Sequence, residues 1–388
     1  VARSTLAMIL FLLIFLLVYG GLHLYMFLKA KAAFAFDTKI SIYVALFLLL
    51  MVFAPILIRQ LERPGLEYVA RVFAYIGYTW MGILVLFFSI SIVIDLCRLL
   101  VYLAGLITQK NFSILTSITP YHFLIPFLLS IFITTYGYFE ARDIRIERVT
   151  IKTSKLPKEI SRLKIIQISD IHLGVIVGED RLKTILDIVK EENPDLLVST
   201  GDLVDGEMCN VTGAVRLLRE IDPPYGKFAV TGNHEFYAGL DRALAFTEEA
   251  GFTILRAEGI TVEGFLNIAG VDDPQGKSYG LFTDISEKEL LSKLPQENFT
   301  LLLKHRPVVD EGALSLFDLQ LSGHAHKGQI FPFGLITKAI YPTDDGCLKL
   351  ENGTYLCVSR GAGTWGPPIR FLAPPDVMVI ELAHRNGQ

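Results

Sequence analysis

The chain has 388 residues, 52% of them hydrophobic and 20% charged, and a formal net charge of −4. That balance, with no stripe of aromatics interleaved with Lys and Arg in the catalytic part, argues against an electrostatic reader of nucleic acid, so no nucleic acid is expected as a partner. The four cysteines, Cys97, Cys209, Cys347 and Cys357, lack zinc-ribbon spacing, and the positive mean hydropathy is unusual for a soluble enzyme.

The excess apolarity lies in the first third. Leu6 to Leu28, Ile40 to Ile58, Val72 to Ile94 and Tyr121 to Tyr138 are nearly free of charge and each is about long enough to cross a ~30 Å hydrocarbon core. Residues 1–142 are therefore expected to form an all-α transmembrane region of about four helices, with the lipid bilayer as partner. Arg3 before the first apolar run resembles a signal peptide, but the run is longer than an h-region and no small-x-small cleavage site ends it. Pro55 and Pro126 fall inside spans two and four, which membrane helices tolerate. Residues 97–119 read as an interfacial stretch or a loop. His23 and His122 lie near span ends, where polar tips reach the interface, so anchoring is the expected role of the helices.

Orientation follows from the cations. Arg3, Arg59, Arg63, Arg71, Arg142, Arg145, Arg148, Lys152 and Lys155 fall on one side; Lys29, Lys31, Lys39, Arg98 and Lys110 fall on the other. Nine against five makes the first side cytoplasmic. The expectation is an integral, multi-pass membrane protein whose catalytic domain faces the cytoplasm.

Residues 143–388 read as one further domain. Ile144 to Thr153 alternates apolar and polar residues as a half-buried strand does. Helical patterns at about Glu179 to Glu192, Val211 to Ile221, Asp241 to Ala250 and Ser286 to Leu294 alternate with the short apolar runs Lys164 to Ser169, Leu196 to Thr200, Phe228 to Thr231 and Leu319 to Leu321. A β-rich end follows, with turns at Glu351-Asn352-Gly353 and from Gly361 to Pro375. This is an α/β pattern of stacked sheets flanked by helices.

The polar residues that close those apolar runs carry the chemistry: Asp170-Ile171-His172, Gly201-Asp202-Leu203-Val204-Asp205, Gly232-Asn233-His234-Glu235 and Ser322-Gly323-His324-Ala325-His326. A strand alternates faces, so Asp170 and His172, or His324 and His326, are expected to point the same way and grip one ion. Imidazole, carboxylate and amide donors without thiolate suit divalent Mn, Fe or Zn. Each motif alone is more often a turn or a strand end; their joint occurrence specifies a two-metal hydrolytic site.

These four clusters, together with Lys304-His305-Arg306-Pro307, resemble the calcineurin-like metallophosphoesterase superfamily, in its motif order, over roughly residues 160 to 382. The resemblance implies a four-layer αββα sandwich and a site for two divalent metal ions. It implies that Asp170, His172 and His326 hold one ion, that Asn233, His305 and His324 hold the other, and that Asp202 bridges them. It also implies that His234 faces the phosphate and protonates the leaving oxygen, with Asp205 orienting its ring. A lone His305 after an apolar run is more often a core or surface residue, and only its place in the motif order makes it a ligand. A cation pair polarises a phosphoryl oxygen and makes hydroxide near neutral pH, so no protein nucleophile is required, and no Gly-x-Ser-x-Gly elbow or P-loop is present. Gly201, Gly232 and Gly323 are expected to permit sharp turns and close backbone approach.

Four further readings stay open on the sequence. Ser359 to Phe371 resembles a stretch of the bacterial membrane-associated branch of the superfamily, in which Arg360 or Arg370 holds a phosphate while Trp365 and Phe371 meet lipid chains; otherwise it is an ordinary loop over the sheet. Lys327 stands where relatives usually have a small residue, and either recognises phosphate or points to solvent. Cys347 and Cys357 either face each other across the turn at Asn352-Gly353 or are free thiols in a reducing compartment. The expected function is hydrolysis of a phosphomonoester, phosphodiester or pyrophosphate, on a lipid-linked substrate such as a UDP-diacylglucosamine-like molecule or a phospholipid. The alternative is a catalytically weak membrane scaffold or sensor that uses the fold only to bind ligand; Asp202 and His234, both present, favour the hydrolase.

Overall fold

The computed structural model describes residues 2–63, 65–110, 119–206 and 212–384. Cys209 and the start of the helix expected from Val211 lie outside the described residues. The chain divides into two compact units: one comprises residues 1–61, 68–139 and 366–369, the other residues 62–67, 140–365 and 370–388.

The first unit is helical: α1 (Ala2–Phe34), α2 (Thr38–Leu61), α3 (Glu67–Thr108) and α4 (Tyr121–Glu140). Each contains a stretch long and apolar enough to cross a membrane. Leu17, Ile107 and Phe132 are among the many large apolar side chains left exposed, as helices with lipid for solvent require. Tyr19, Met26, Leu48, Leu84 and Phe87 pack inside, and Gly77 on α3 lets Ala54 and Ile58 of α2 come close. His23 is buried among them: its Nδ1 donates to the Tyr19 carbonyl at 2.8 Å while its Nε2 accepts from Trp80 Nε1 at 3.0 Å. One sequence expectation fails here. The stretch 97–108, expected as interface or loop, continues α3 without a break, because Leu99 to Thr108 holds no Gly or Pro stop except Gly105. At 1.5 Å per residue the helix is ~63 Å long, about twice a hydrocarbon core.

The second unit is a four-layer α/β sandwich. Its strands are β1 (Arg145–Thr153), β2 (Arg162–Ile168), β3 (Leu196–Ser199), β4 (Lys227–Ala229), β5 (Thr253–Ile254), β6 (Glu258–Val262), β7 (Leu266–Gly270), β8 (Phe299–Leu303), β9 (Leu319–Ser322), β10 (Gly346–Lys349), β11 (Tyr355–Val358) and β12 (Asp376–His384). One sheet has the order β1-β12-β2-β3-β4-β5, the other β10-β11-β9-β8-β7-β6. Within the first, β2 to β5 run parallel; within the second, β7, β8, β9 and β11 do.

Strand period two sorts the core. In β2, Leu163 and Ile165 meet Leu266, Leu301 and Leu321 between the sheets, while Ile166 and Ile168 face outward to the helices. The helix α5 (Glu179–Glu191) covers that outer face with Leu182, Ile185, Leu186 and Val189, spaced as one apolar stripe, beside α6 (Thr212–Arg219) and α8 (Leu240–Glu249). The short helix α7 (Asn233–Ala238) follows β4, and α9 (Gly276–Tyr279) follows β7. On the second sheet, α10 (Glu287–Ser292) brings Leu290 and Leu291 onto Ala269 and Leu302. Lastly, α11 (Phe333–Ile340) has none of its residues buried, and Leu335, Ile336 and Ile340 are each more than half exposed.

Candidate metal centre

Because β2, β3 and β4 are parallel in one sheet and β8 and β9 in the other, five carboxyl ends open on one side of the sandwich. Asp170 and His172 follow β2, Asp202 and Asp205 follow β3, Asn233 and His234 follow β4, His305 follows β8, and His324 and His326 follow β9. Every sequence-predicted site residue is thus brought to the same place.

The means differ from the sequence expectation. The strands stop before the paired residues, at Ile168 and Ser322, so alternation along a strand does not orient them. Instead Asp170, His172, Asp202, His324 and His326 all sit in the left-handed region, at φ of 50°, 54°, 51°, 67° and 47°. Non-glycine residues rarely adopt it. Backbone bonds hold them there: Asp170 N donates to the Gly201 carbonyl, His172 N to the Asp202 carbonyl, and His324 N to the Asp170 carboxylate at 3.1 Å.

Two glycines make the loops fit. At Gly201 (φ +95°) a side chain would strike the Gly232 backbone and His305 Nδ1, and at Gly323 it would strike Ser169 and the Asp170 carboxylate. Close backbone approach, as expected from the sequence, is what these positions need.

The donor atoms form three groups among the described residues, of which the third, His172 with Asp205 and His234, shares His172 with the first. Asp170, His172 and His326 make the first: His172 Nε2 lies 3.1 Å from His326 Nε2, which lies 3.3 Å from Asp170 Oδ1. Asp202, His305 and His324 make the second, with His305 Nε2 at 3.2 Å from each of Asp202 Oδ2, Asn233 Oδ1 and His324 Nδ1. The same Asp202 Oδ2 lies 3.8 Å from His172 Nε2, so one oxygen faces the first group as well as the second. Ligands each about 2.0–2.2 Å from a shared divalent ion stand roughly 3.0–3.5 Å apart, so these spacings fit an ion in the first group and one in the second. His305 Nδ1 donates to the Thr200 carbonyl at 2.8 Å, which fixes the tautomer that leaves Nε2 for a ligand role.

The electrostatics point the same way. Burial disfavours charge on His305 and His234, yet the Asp202 carboxylate outweighs it and raises His305 to about 10 and, with Asp205, His234 to about 9. Burial and the neighbouring charged rings push His172 down to about 3 and His324 to about 4. Despite burial, Asp170 and Asp202 are held well below the usual carboxylate range by the histidines. Buried carboxylates that hold on to protons at imidazole nitrogens are a cation-seeking set.

His234 lies against the first group, its ring 4.5 Å from that of His172 and its backbone N–H donating to Asp202 Oδ1 at 2.8 Å. Its Nδ1 bonds Asp205 Oδ1 at 2.8 Å, and its ring lies edge-on to Tyr237 at 5.1 Å and to Trp365 at 5.8 Å. Tyr237 lies in turn 6.4 Å from Tyr279 at the end of α9.

Glu235 was quoted in the sequence without a role, and the structure supplies one. Its buried carboxylate accepts from Gly232 N at 2.6 Å, Asp202 N at 3.0 Å and Leu203 N at 2.8 Å, tying the loop after β3 to the loop after β4. Burial and Asp202 raise it to about 7. The available signal was an acidic residue three positions after a helix-starting glycine, half of a capping box.

Two readings are corrected, and one left open, on the cysteines, is decided. Arg370 does not hold phosphate: it is fully buried, and its guanidinium donates to the carbonyls of Arg360 at 2.7 Å, Gly361 at 3.1 Å and Ala373 at 3.2 Å, with Nη2 against His326 Nδ1 at 3.1 Å. Arg360 is likewise committed, to Glu147, Asp376 and Asp345. Lys327 pairs with Asp345 at 2.8 Å rather than pointing alone into solvent or toward phosphate. Cys347 and Cys357, opposite each other on β10 and β11, are joined as a disulfide, so they are not free thiols.

Comparison with known proteins agrees. The family model described as calcineurin-like phosphoesterase matches residues 163–328. An uncharacterized metallophosphoesterase of Aquifex aeolicus is 44% identical over 67% of this chain and 99% of its own length. One from Campylobacter jejuni is 30% identical over 96% of this chain and 98% of its own. A transmembrane protein with metallophosphoesterase domain from Danio rerio is 29% identical over 65% of this chain and 61% of its own length.

Proposed function

The chain belongs to the calcineurin-like phosphoesterase family, and from that premise we propose that it hydrolyses a lipid-linked phosphoric ester at a two-metal centre. The observation that carries the reading is Asp202 Oδ2, which faces both donor groups at once. Asp170, His172 and His326 would hold one divalent ion and Asn233, His305 and His324 the other, with Asp202 placed to serve both; the imidazole, carboxylate and amide donors suit Mn, Fe or Zn. Such ions supply Lewis acidity toward a phosphoryl oxygen and toward water. His234, charged and braced by Asp205, gives its proton to the departing oxygen, so the leaving group departs neutral.

Support for a lipid-linked substrate comes from the apolar surface on the same unit. The helix α11 leaves the loop of His326 and ends at Tyr341, whose ring lies 6.1 Å from that of His324. Trp365, beside His234, and Leu372 are each more than half exposed. Exposed apolar side chains grouped beside a site mark an interaction surface, which an enzyme that admits acyl chains requires. The four apolar helices fit a multi-pass anchor.

The test uses the purified full chain loaded with Mn, assayed on a UDP-diacylglucosamine-like pyrophosphate, phospholipids, cyclic nucleotides and aryl phosphates. Acylated substrates should show higher kcat/KM than their deacylated forms. Equal rates with and without acyl chains would remove the lipid part of the reading and leave the phosphoesterase.

For orientation, the cation bias favours a cytoplasmic catalytic unit. A second reading is favoured by the Cys347–Cys357 disulfide, because such bonds persist in oxidising compartments. A C-terminal reporter active only on the cytoplasmic face supports the first, and one active only on the exported face supports the second.

A further inference from the structure

The helix α11 is turned inside out for a helix on a water-soluble domain. Its inner side is small and polar: a side chain at Gly334 would strike the Lys327 carbonyl, and Thr337 Oγ1 donates to Asp344 Oδ2 at 2.7 Å. Its outer side carries Leu335, Ile336 and Ile340, with Phe333 at its start and Phe331 just before it, all of them exposed. A helix that packs on a globular core shows the opposite arrangement, with the apolar stripe inward. From Ile330 to Thr343 the only charged side chain is Lys338, so no carboxylate interrupts the outer face.

Hydrogen bonds tie the root of α11 to the end of an apolar helix. Glu140 is the last residue of α4, whose 20 residues match the thickness of a hydrocarbon core, and Arg142, Asp143 and Arg145 follow it. With α4 across a bilayer, Glu140 stands at the level of the headgroups. Its Oε2 accepts from Leu372 N at 3.0 Å. The preceding residue, Phe371, donates its N–H to the Gln329 carbonyl at 2.9 Å and accepts from Phe331 N at 3.1 Å. Two steps of hydrogen bonding thus lead from the end of α4 to the residue that precedes α11, and both Leu372 and Phe331 on that path are exposed. Apolar side chains this close to the headgroups are within reach of lipid.

We propose that α11 docks on the lipid bilayer as an interfacial helix. Leu335, Ile336 and Ile340 enter the leaflet, and Lys338 extends its ammonium to the headgroup phosphates. Helices of this kind bury their apolar face about 5–10 Å into the boundary between headgroups and acyl chains, and their binding grows with the apolar area buried. Because α11 follows the loop of His326 and Tyr341 at its end lies beside His324, the docked helix holds the metal centre near the lipid surface. The inference rests on α4 crossing the bilayer and goes beyond the lipid-linked substrate: the leaflet itself covers α11, whichever ester is hydrolysed.

The test attaches a bimane fluorophore to Ile336→Cys or Ile340→Cys in the full chain carrying Cys97→Ser and Cys209→Ser, reconstituted in nanodiscs of phosphatidylcholine and phosphatidylglycerol. Quenching by a phospholipid with a nitroxide high on its acyl chain is compared with quenching by aqueous iodide. Both labels should lose fluorescence to the acyl nitroxide and be shielded from iodide. Labels quenched by iodide alone would put α11 in water, and labels reached by neither quencher would put a second copy of the chain or another protein over it; either result overturns the proposal. The same label on Leu49→Cys, midway along α2, reports on the spans themselves. Loss of fluorescence to the nitroxide at Leu49→Cys but not at the two α11 positions would overturn the docking alone, whereas no loss at Leu49→Cys would overturn the spans and the docking with them.

Discussion

Burial has opposite meanings in the two units. In the α/β unit the apolar side chains are inside, and so is its densest collection of charge: Asp170, Asp202, Glu235 and His305 are all buried. In the helical unit large apolar side chains face outward, and buried His23 is answered by the Trp80 indole and the Tyr19 carbonyl. The lesson is that a buried polar group is cheap in neither unit, and in the α/β unit carboxylates and imidazoles converge on one point. Convergence, rather than burial, separates a site from a structural hydrogen bond.

The largest test of that distinction is Asp202→Asn. The variant should lose turnover entirely and bind fewer than two transition-metal equivalents, measured by elemental analysis of the purified protein, because a neutral amide no longer answers both donor groups. Two retained metals with wild-type turnover would sink the bridging role.

His234→Ala comes next. It should keep both metals and lower turnover by about 10²–10⁴-fold, the usual size of general-acid help. The loss should shrink for a nitrophenyl ester, whose leaving group needs no proton, and an equal loss on alkyl and nitrophenyl esters would refute the assignment.

The pH dependence sharpens the same point. His234 is raised to about 9, so its proton is present at neutral pH and is lost as pH rises through that value. Two cations in the neighbouring donor groups would lower that value. The alkaline limb of kcat should therefore fall at or below pH about 9, and Asp205→Asn, which removes the hydrogen-bonded carboxylate, should move the limb to lower pH with little change in metal content. A limb that stays put would separate His234 from the profile.

The smallest effect belongs to the helical unit. His23→Ala orphans the Trp80 indole N–H and should cost about 0.5–1.5 kcal/mol of stability, read as a modest fall in thermal midpoint in detergent, with unchanged metal content and aryl phosphate hydrolysis. A loss of metals in this variant would break the comparison between the units.

Much of the site was legible in the sequence because its residues occur as short motifs directly after apolar runs, and the parallel strands β2, β3, β4, β8 and β9 carry those motifs to one edge. The alternation argument paired Asp170 with His172 correctly but His324 with His326 wrongly, since these two fall in separate donor groups; period two describes a strand, whereas all four lie beyond the strand ends. Arg370 was misread because its carbonyl partners at 360, 361 and 373 form a cage only when the chain folds back, which no local pattern records. Glu235 escaped because its three partners span two loops. The disulfide was left open because cross-strand register, with Cys347 opposite Cys357, is set by the turn and the sheet together. For α3, the absence of a firm stop signal after Ile94 was visible, but hydropathy alone set the expected end.

The left-handed backbone at Asp170, His172, Asp202, His324 and His326 bears on what this chain is kept for. Each such residue disfavours the folded state by about 1–2 kcal/mol relative to glycine at the same dihedral angles. A chain that served only as a scaffold would relieve that strain by exchanging these residues for glycine, at least where, unlike Asp170 and Asp202, the side chain accepts no buried backbone N–H. Carboxylate and imidazole groups standing at all five positions make sense in a chain under continuing demand to bind ions.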